Sequence, residues 1–145
     1  MSLKTLAAEH LSAGAGGAVD RLNFNSLVGL KLVDWRKDFA RIELPLRSEH
    51  LNGVGSVHGG VLMTLMDTVC GFSGVFAEDG EEQRGCATIA MNSKFLKPAL
   101  EGTLIAEARV QGGGKSVFFT HVEVRDEAGD LVATGDGTFR YRRLS

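Results

Sequence analysis

The stretch from Gly60 to Ala77 constrains the fold more than any other part of the chain. Its apolar residues, from Val61 through Met66 and Val69 to Phe76, fall on every side of a helix. A helix without a polar face is either enclosed by protein or spans a membrane. A span needs about 20 apolar residues with few polar interruptions. Here Thr64, Asp67, Thr68, Ser73 and four glycines, counting Gly59, break the run. The segment is therefore expected to be a helix buried at the centre of the molecule, with no membrane partner.

The flanking sequence supplies what encloses it. Cys86–Leu96, Thr103–Gln111, Ser116–Arg125 and Leu131–Arg142 each alternate β-branched or aromatic residues with polar ones, the period of a strand with one buried face. Glu101-Gly102, Gly112-Gly113-Gly114 and Glu127-Ala128-Gly129-Asp130 separate them. Connections this short predict antiparallel hairpins between successive strands. Upstream, the alternation around Leu30–Val33 and Ala40–Leu44 predicts two more strands, joined near Arg36–Asp38. Leu3, Leu6, Ala7, His10 and Leu11 have helical spacing, and Gly14–Gly17 would end that helix. The expected architecture is α+β: one domain over 1–145, with a helical extension over 1–25 and a curved antiparallel sheet wrapped around one long buried helix.

Composition narrows the function. A net charge of −2 over 145 residues argues against a nucleic-acid partner, which calls for a basic excess. Cys70 and Cys86 have neither a CxxC partner nor a zinc-ligand spacing, and His10, His50, His58 and His121 show no ligand pattern, so no metal is expected. Met1–Ala18 lacks a basic segment followed by a long apolar run, so it does not read as a signal peptide, and a cytoplasmic location is expected.

Three features can carry chemistry. The doublet Gly59-Gly60 opens the buried helix directly after His58. Backbone N–H groups at a helix start are unsatisfied and carry a partial positive charge, and N–H groups aimed at a carbonyl oxygen form an oxyanion hole. Asp67 is the one carboxylate in the apolar helix, and burying it is costly unless it is paired or partly solvated. Asn52 lies in the glycine-bearing loop that precedes His58. Gly60 and Asp67 are about two helical turns apart, roughly 10 Å along the axis, which is far for one carbonyl. An Asp67 supplied by a second subunit removes that difficulty.

These residues together, Asn52, His58-Gly59-Gly60-Val61-Leu62-Met63-Thr64-Leu65-Met66-Asp67, the strand Met91–Ala99 and the Gly-Lys-Ser hairpin, resemble the hotdog-fold acyl-CoA thioesterases, in particular the phenylacetate-degradation (PaaI-like) type. The resemblance implies a hotdog fold and a carbonyl polarised by the Gly60 N–H, with Gly59 letting the ligand approach. Asp67 from the partner subunit would act as nucleophile or general base. Asn52 would position water or the carboxylate, His58 would sit beside the thioester, and Thr88 would help hold the attacking water. Gly113, Gly114, Lys115 and Ser116 would lie against the nucleotide end of coenzyme A. No cofactor is implied, because coenzyme A arrives as part of the substrate. A homo-oligomer, a dimer pairing into a dimer of dimers, is the implied assembly. A non-catalytic acyl-CoA-binding protein of the same fold is the alternative. The acyl group, aryl or medium-chain, stays open.

Overall fold

The computed structural model describes residues 23–144; the helix expected over Leu3–Leu11, with nearly all of the 1–25 extension, lies outside them. A short helix α1 (Phe24–Val28) is followed by strands β1 (Lys31–Arg36) and β2 (Phe39–Pro45). A 3₁₀ turn at Ser48–His50 leads to the long helix α2 (Gly59–Gly74). Four strands then complete the chain: β3 (Arg84–Phe95), β4 (Thr103–Gly113), β5 (Val117–Arg125) and β6 (Leu131–Arg143). All six strands form one antiparallel sheet in the order β1-β2-β4-β5-β6-β3. Among the described residues no helix is long and apolar enough to cross a membrane.

The strand period of two sorts side chains between the faces. Ala40, Ile42 and Leu44 of β2, Leu104, Ala106 and Ala108 of β4, and Phe118, Val122 and Val124 of β5 point inward and are buried. Against them α2 packs Leu62, Leu65, Met66, Val69 and Cys70. Burying each Leu, Val or Phe contributes on the order of 1.5–3 kcal/mol, so this layer is the core. The helix stops at Gly74, short of Ala77. There the Trp35 indole N–H donates to the Phe72 carbonyl at 2.8 Å, satisfying an acceptor that the next turn would have taken. The Trp35 ring also meets Phe72 and Phe76 edge-on.

Two expectations need correction. β3 and β4 are not a hairpin: β3 runs to the far edge of the sheet and pairs with β6. Two intervening strands separate it from β4, a lateral step of about 14 Å, and residues 96–102 can reach across roughly 23 Å. The Leu96 and Lys97 N–H groups still bond to Val132 O. The chain then crosses the end of the sheet, where Ala99 O accepts from Val57 N–H and Gly102 O from Leu46 N–H. The second correction concerns α2, which is not enclosed on every side within one chain. Gly60 is exposed, and Val61, Thr64, Asp67 and Thr68 are half-buried. Their spacing is one helical stripe, open in part from Gly60 to Thr68, with α1 alongside it, and closed at Gly71, which is buried.

Gly74 is the tightest contact between helix and sheet. A Cβ there would lie 2.1 Å from Phe118 Cε2, and Phe118 is buried and stacked on Phe139 with centroids 5.2 Å apart. Gly74→Ala is therefore expected to destabilise the fold by roughly 1–3 kcal/mol through overpacking. The check is urea unfolding, with a lower midpoint at unchanged slope; an unshifted midpoint would mean that the ring moves aside freely.

Candidate functional site

The start of α2 is built from the loop before it. Asn52 organises that loop: its Oδ1 accepts from Val54 and Ser56 N–H at 3.0 and 3.2 Å, and its Nδ2 donates to Ser56 Oγ at 3.0 Å. A side chain bonding its own backbone two residues on is a turn-forming device. Behind the loop His50 is buried, and both ring nitrogens are engaged. Nδ1 accepts from Arg47 N–H at 3.0 Å, which leaves Nε2 to donate to Val28 O at 2.6 Å. The His50 carbonyl in turn accepts the His58 N–H at 2.9 Å.

His58 is thereby held as the N-cap of α2. Its Nδ1 accepts the Gly60 N–H at 2.8 Å, so the neutral ring carries its proton on Nε2. The imidazole lies against Gly60, where a Cβ would sit 2.9 Å from Nδ1. A side chain at 60 would crowd the ring in this position and oblige the imidazole to shift. At Gly59 a Cβ would meet only Phe95 among the described residues, at an ordinary 3.7 Å, and nothing among them requires glycine there.

Asp67 lies further along the same stripe, half-buried, and its Oδ1 accepts from Thr88 Oγ1 on β3 at 2.6 Å. The two sequence-predicted halves open into different clefts of one chain. Asp67 and Thr88 line a cleft of about 370 Å³ floored by Trp35, Phe72 and Phe139. His58 and Gly60 line another, of about 530 Å³, with Phe24, Leu27 and Val61. α1 contributes to both, through Asn25 in the first and Phe24 in the second.

The Gly113–Ser116 segment is the β4–β5 turn, exposed throughout. Gly113 has φ +150°, and a Cβ on it would lie 2.5 Å from Val117 O, so only glycine fits. The register Thr88–Phe139–Phe118–Gly113 runs straight across the sheet. It sets this turn three strand spacings, about 14 Å, from Thr88. Arg140 on β6 pairs with Val117, and Tyr141 N–H bonds to Ser116 O. Arg140, Arg142 and Arg143 at the end of β6 thus lie beside the turn that carries Lys115. Sequence reasoning also missed Arg47 and His50, since neither belongs to a motif and only folding brings them to the carbonyls of α1.

An antiparallel sheet curled over one central helix, with a capped glycine doublet at the helix start and a carboxylate two turns on, defines the hotdog class of fold. Residues 54–133 match the family model of the thioesterase superfamily. Acyl-coenzyme A thioesterase 13 of Homo sapiens is 30% identical, over 80% of this chain and 83% of its own. Acyl-coenzyme A thioesterase PaaI of Escherichia coli is 28% identical, over 73% of each chain. The solved structure of the E. coli PaaI protein from the phenylacetic acid degradation operon superposes with a TM-score of 0.71 at 26% identity, over 83% of this chain and 84% of that one. A conserved protein of Pseudomonas aeruginosa gives 0.76 at 28%, over 93% and 99%. The chain belongs to the thioesterase superfamily, as a PaaI-like thioester hydrolase.

A hydrolase needs a nucleophile or a base, and Cys86 lies in the Asp67 cleft beside the acid. Burial, aided by the Asp67 charge, pushes its thiol up to about 11, and burial pushes Cys70 to about 12. Neither thiol is a thiolate near neutral pH, and the thiolate is the nucleophilic form. At pH 8 about one Cys86 in 10³ is ionised, given its value near 11. Alkylation of native Cys86 by iodoacetamide is thus expected to be slow at pH 8 and to rise about tenfold per pH unit up to about 11. Rapid labelling of the folded protein at pH 8 would restore Cys86 as a candidate nucleophile.

Proposed function

We propose that the protein hydrolyses an acyl-CoA thioester, with an aryl or medium-chain acyl group, at a site shared between two subunits. The observation that carries the reading is the open stripe of α2. It has Gly60 at one end and Asp67 at the other, each in its own cleft. Two copies facing each other along this stripe would set the Asp67 of one against the helix start of the other. The outer edge of β3, with Ile89 and Phe95 more than half exposed, is an unpaired strand edge that a second copy can extend. Such a dimer, pairing again into a dimer of dimers, accounts for both exposed surfaces.

In this reading the thioester carbonyl lies at the start of α2. The Gly59 N–H, and the Gly60 N–H once His58 turns aside, stabilise the charge that develops on oxygen. Asp67 either attacks the carbonyl carbon, forming a mixed anhydride that water then cleaves to the free acid and the restored carboxylate, or removes a proton from the water that attacks directly; in both routes a C–O bond forms as the C–S bond breaks, and CoA leaves as a thiolate that takes up the proton the water gives up. Thr88 fixes the carboxylate, and its 2.6 Å hydrogen bond supports that role. Asn52 acts through the loop it shapes, holding the His58 backbone at the helix start, and the imidazole, once it has released the Gly60 N–H, offers a ring N–H to the leaving sulfur. The Gly113–Ser116 turn offers backbone N–H groups and the Lys115 cation to the nucleotide phosphates. The names of the two curated relatives, both acyl-coenzyme A thioesterases, support this substrate class. The cytoplasm is the compartment the reading expects.

Asp67→Asn is expected to lower thiol release from acyl-CoA at least ~10²-fold, the effect of losing a nucleophile or general base. Co-refolding Asp67→Asn with His58→Ala should then recover activity, because one site of each mixed dimer is intact when the site is shared; no recovery would place both residues in one subunit's site. Full activity in Asp67→Asn would remove the acid from the mechanism. Binding without turnover by the wild type would identify an acyl-CoA-binding protein instead. Lys115→Ala is expected to raise KM for the CoA ester while sparing small thioesters without a nucleotide; equal effects on both would take Lys115 out of contact with the nucleotide.

A further inference from the structure

We infer that α1 is the specificity wall of the acyl subsite, and that Phe24 and Leu27 select the size of the acyl group; this rests on the thioester-hydrolase reading proposed above. The cleft that begins at His58 and Gly60 continues along Phe24, Leu27, Val28 and Val61. One end is a helix start suited to a carbonyl oxygen, and Phe24, Leu27, Val28 and Val61 give the cleft an apolar side, with Arg47, Glu49, His50 and Thr64 also on its lining. Its volume of about 530 Å³ falls within the range of small-molecule sites. Phe24 and Leu27 are 60% and 70% exposed on the side of α1 that lines this cleft, so both can contact a ligand in it. The cleft therefore suits a medium-chain or aryl acyl group and leaves an acetyl group without contact on α1.

The placement of α1 is enforced from the same loop that builds the helix start. Arg47 Nη2 donates to Leu27 O and Val28 O at 2.8 and 3.2 Å, and His50 Nε2 donates to Val28 O. His50 O accepts from His58 N–H. One residue thus ties the acyl wall and the carbonyl end to a common frame. On the opposite side of α1, Thr68 Oγ1 donates to Asn25 Oδ1 at 3.4 Å. The wall keeps its distance from the reacting carbon, which is what discrimination by acyl length requires.

The test is kcat/KM for thiol release across a series of straight-chain and aryl acyl-CoAs, with wild type, Phe24→Ala and Leu27→Trp side by side. Both positions are mostly exposed, so neither substitution alters core packing. Removing the Phe24 ring is expected to shift the ratio between bulky and short acyl groups toward the bulky by ~10-fold or more, the scale on which apolar pockets discriminate single groups. Leu27→Trp should shift the same ratio the other way. Ratios that stay constant in both variants would overturn the inference while leaving the hydrolase reading in place. So would a fall common to all acyl groups with a smaller assembly by light scattering, which would make α1 a subunit contact. No turnover by the wild type on any acyl-CoA would overturn the hydrolase reading and this inference together.

Discussion

One constraint organises the molecule: a helix too apolar for water must be enclosed, and a single curled sheet does so on only part of its circumference. The strands that face α2 keep small side chains where it passes, Ala106 and Ala108 on β4 and Gly135 and Gly137 on β6, and the helix answers with Gly74 against Phe118. This close packing fixes the rotation of α2 about its own axis. With the rotation fixed, the stripe from Gly60 to Thr68 faces away from the sheet, and the acid on it can be neither sealed in the core nor fully hydrated. Asp67 owes its half-buried setting to packing on the other side of the helix.

The polar framework of the site is carried by loops, yet it is not loose. The backbone bond from the His58 N–H to His50 O leads back through His50 to Arg47 and the carbonyls of α1. Buried polar groups without partners are costly, so the chain satisfies them by knitting the turn before α2 into a rigid block. Rigidity here is chemical as well as mechanical, because the bond from the Gly60 N–H to Nδ1 fixes which imidazole nitrogen bears the proton.

Much of this was legible in the residues. The central helix followed from apolar residues on every side of it, and the strands from their alternation, because both periods depend on local geometry alone. The β1–β2, β4–β5 and β5–β6 hairpins followed from short turns. The β3–β4 neighbourhood did not, because a short connection shows how far a chain can travel and not in which direction. The pattern Asn52, His58, Gly59-Gly60, Asp67 singled out the start of α2 and the acid two turns on, which the folded chain places in two separate clefts. The bond from Gly60 N–H to His58 and the service of Asn52 to its own loop were not legible, since competition among nearby hydrogen-bond partners is settled only in three dimensions. Arg47 and His50 were invisible for the same reason, as their partners on α1 are some twenty residues away.

The crossover that carries β3 to the sheet edge has a consequence for how the chain folds. Among the described strands β3 pairs with β6 alone, the last of the six in chain order. Its register with β6 closes a loop of several tens of residues, the kind of distant pairing that is slow to form. During synthesis the helix, β2, β4 and β5 can assemble while β3 waits uncommitted, with Thr88 on it. The acid's side of the site is therefore the last part to be built, and any fault that delays β6 leaves a nearly complete core beside a bare, apolar strand edge.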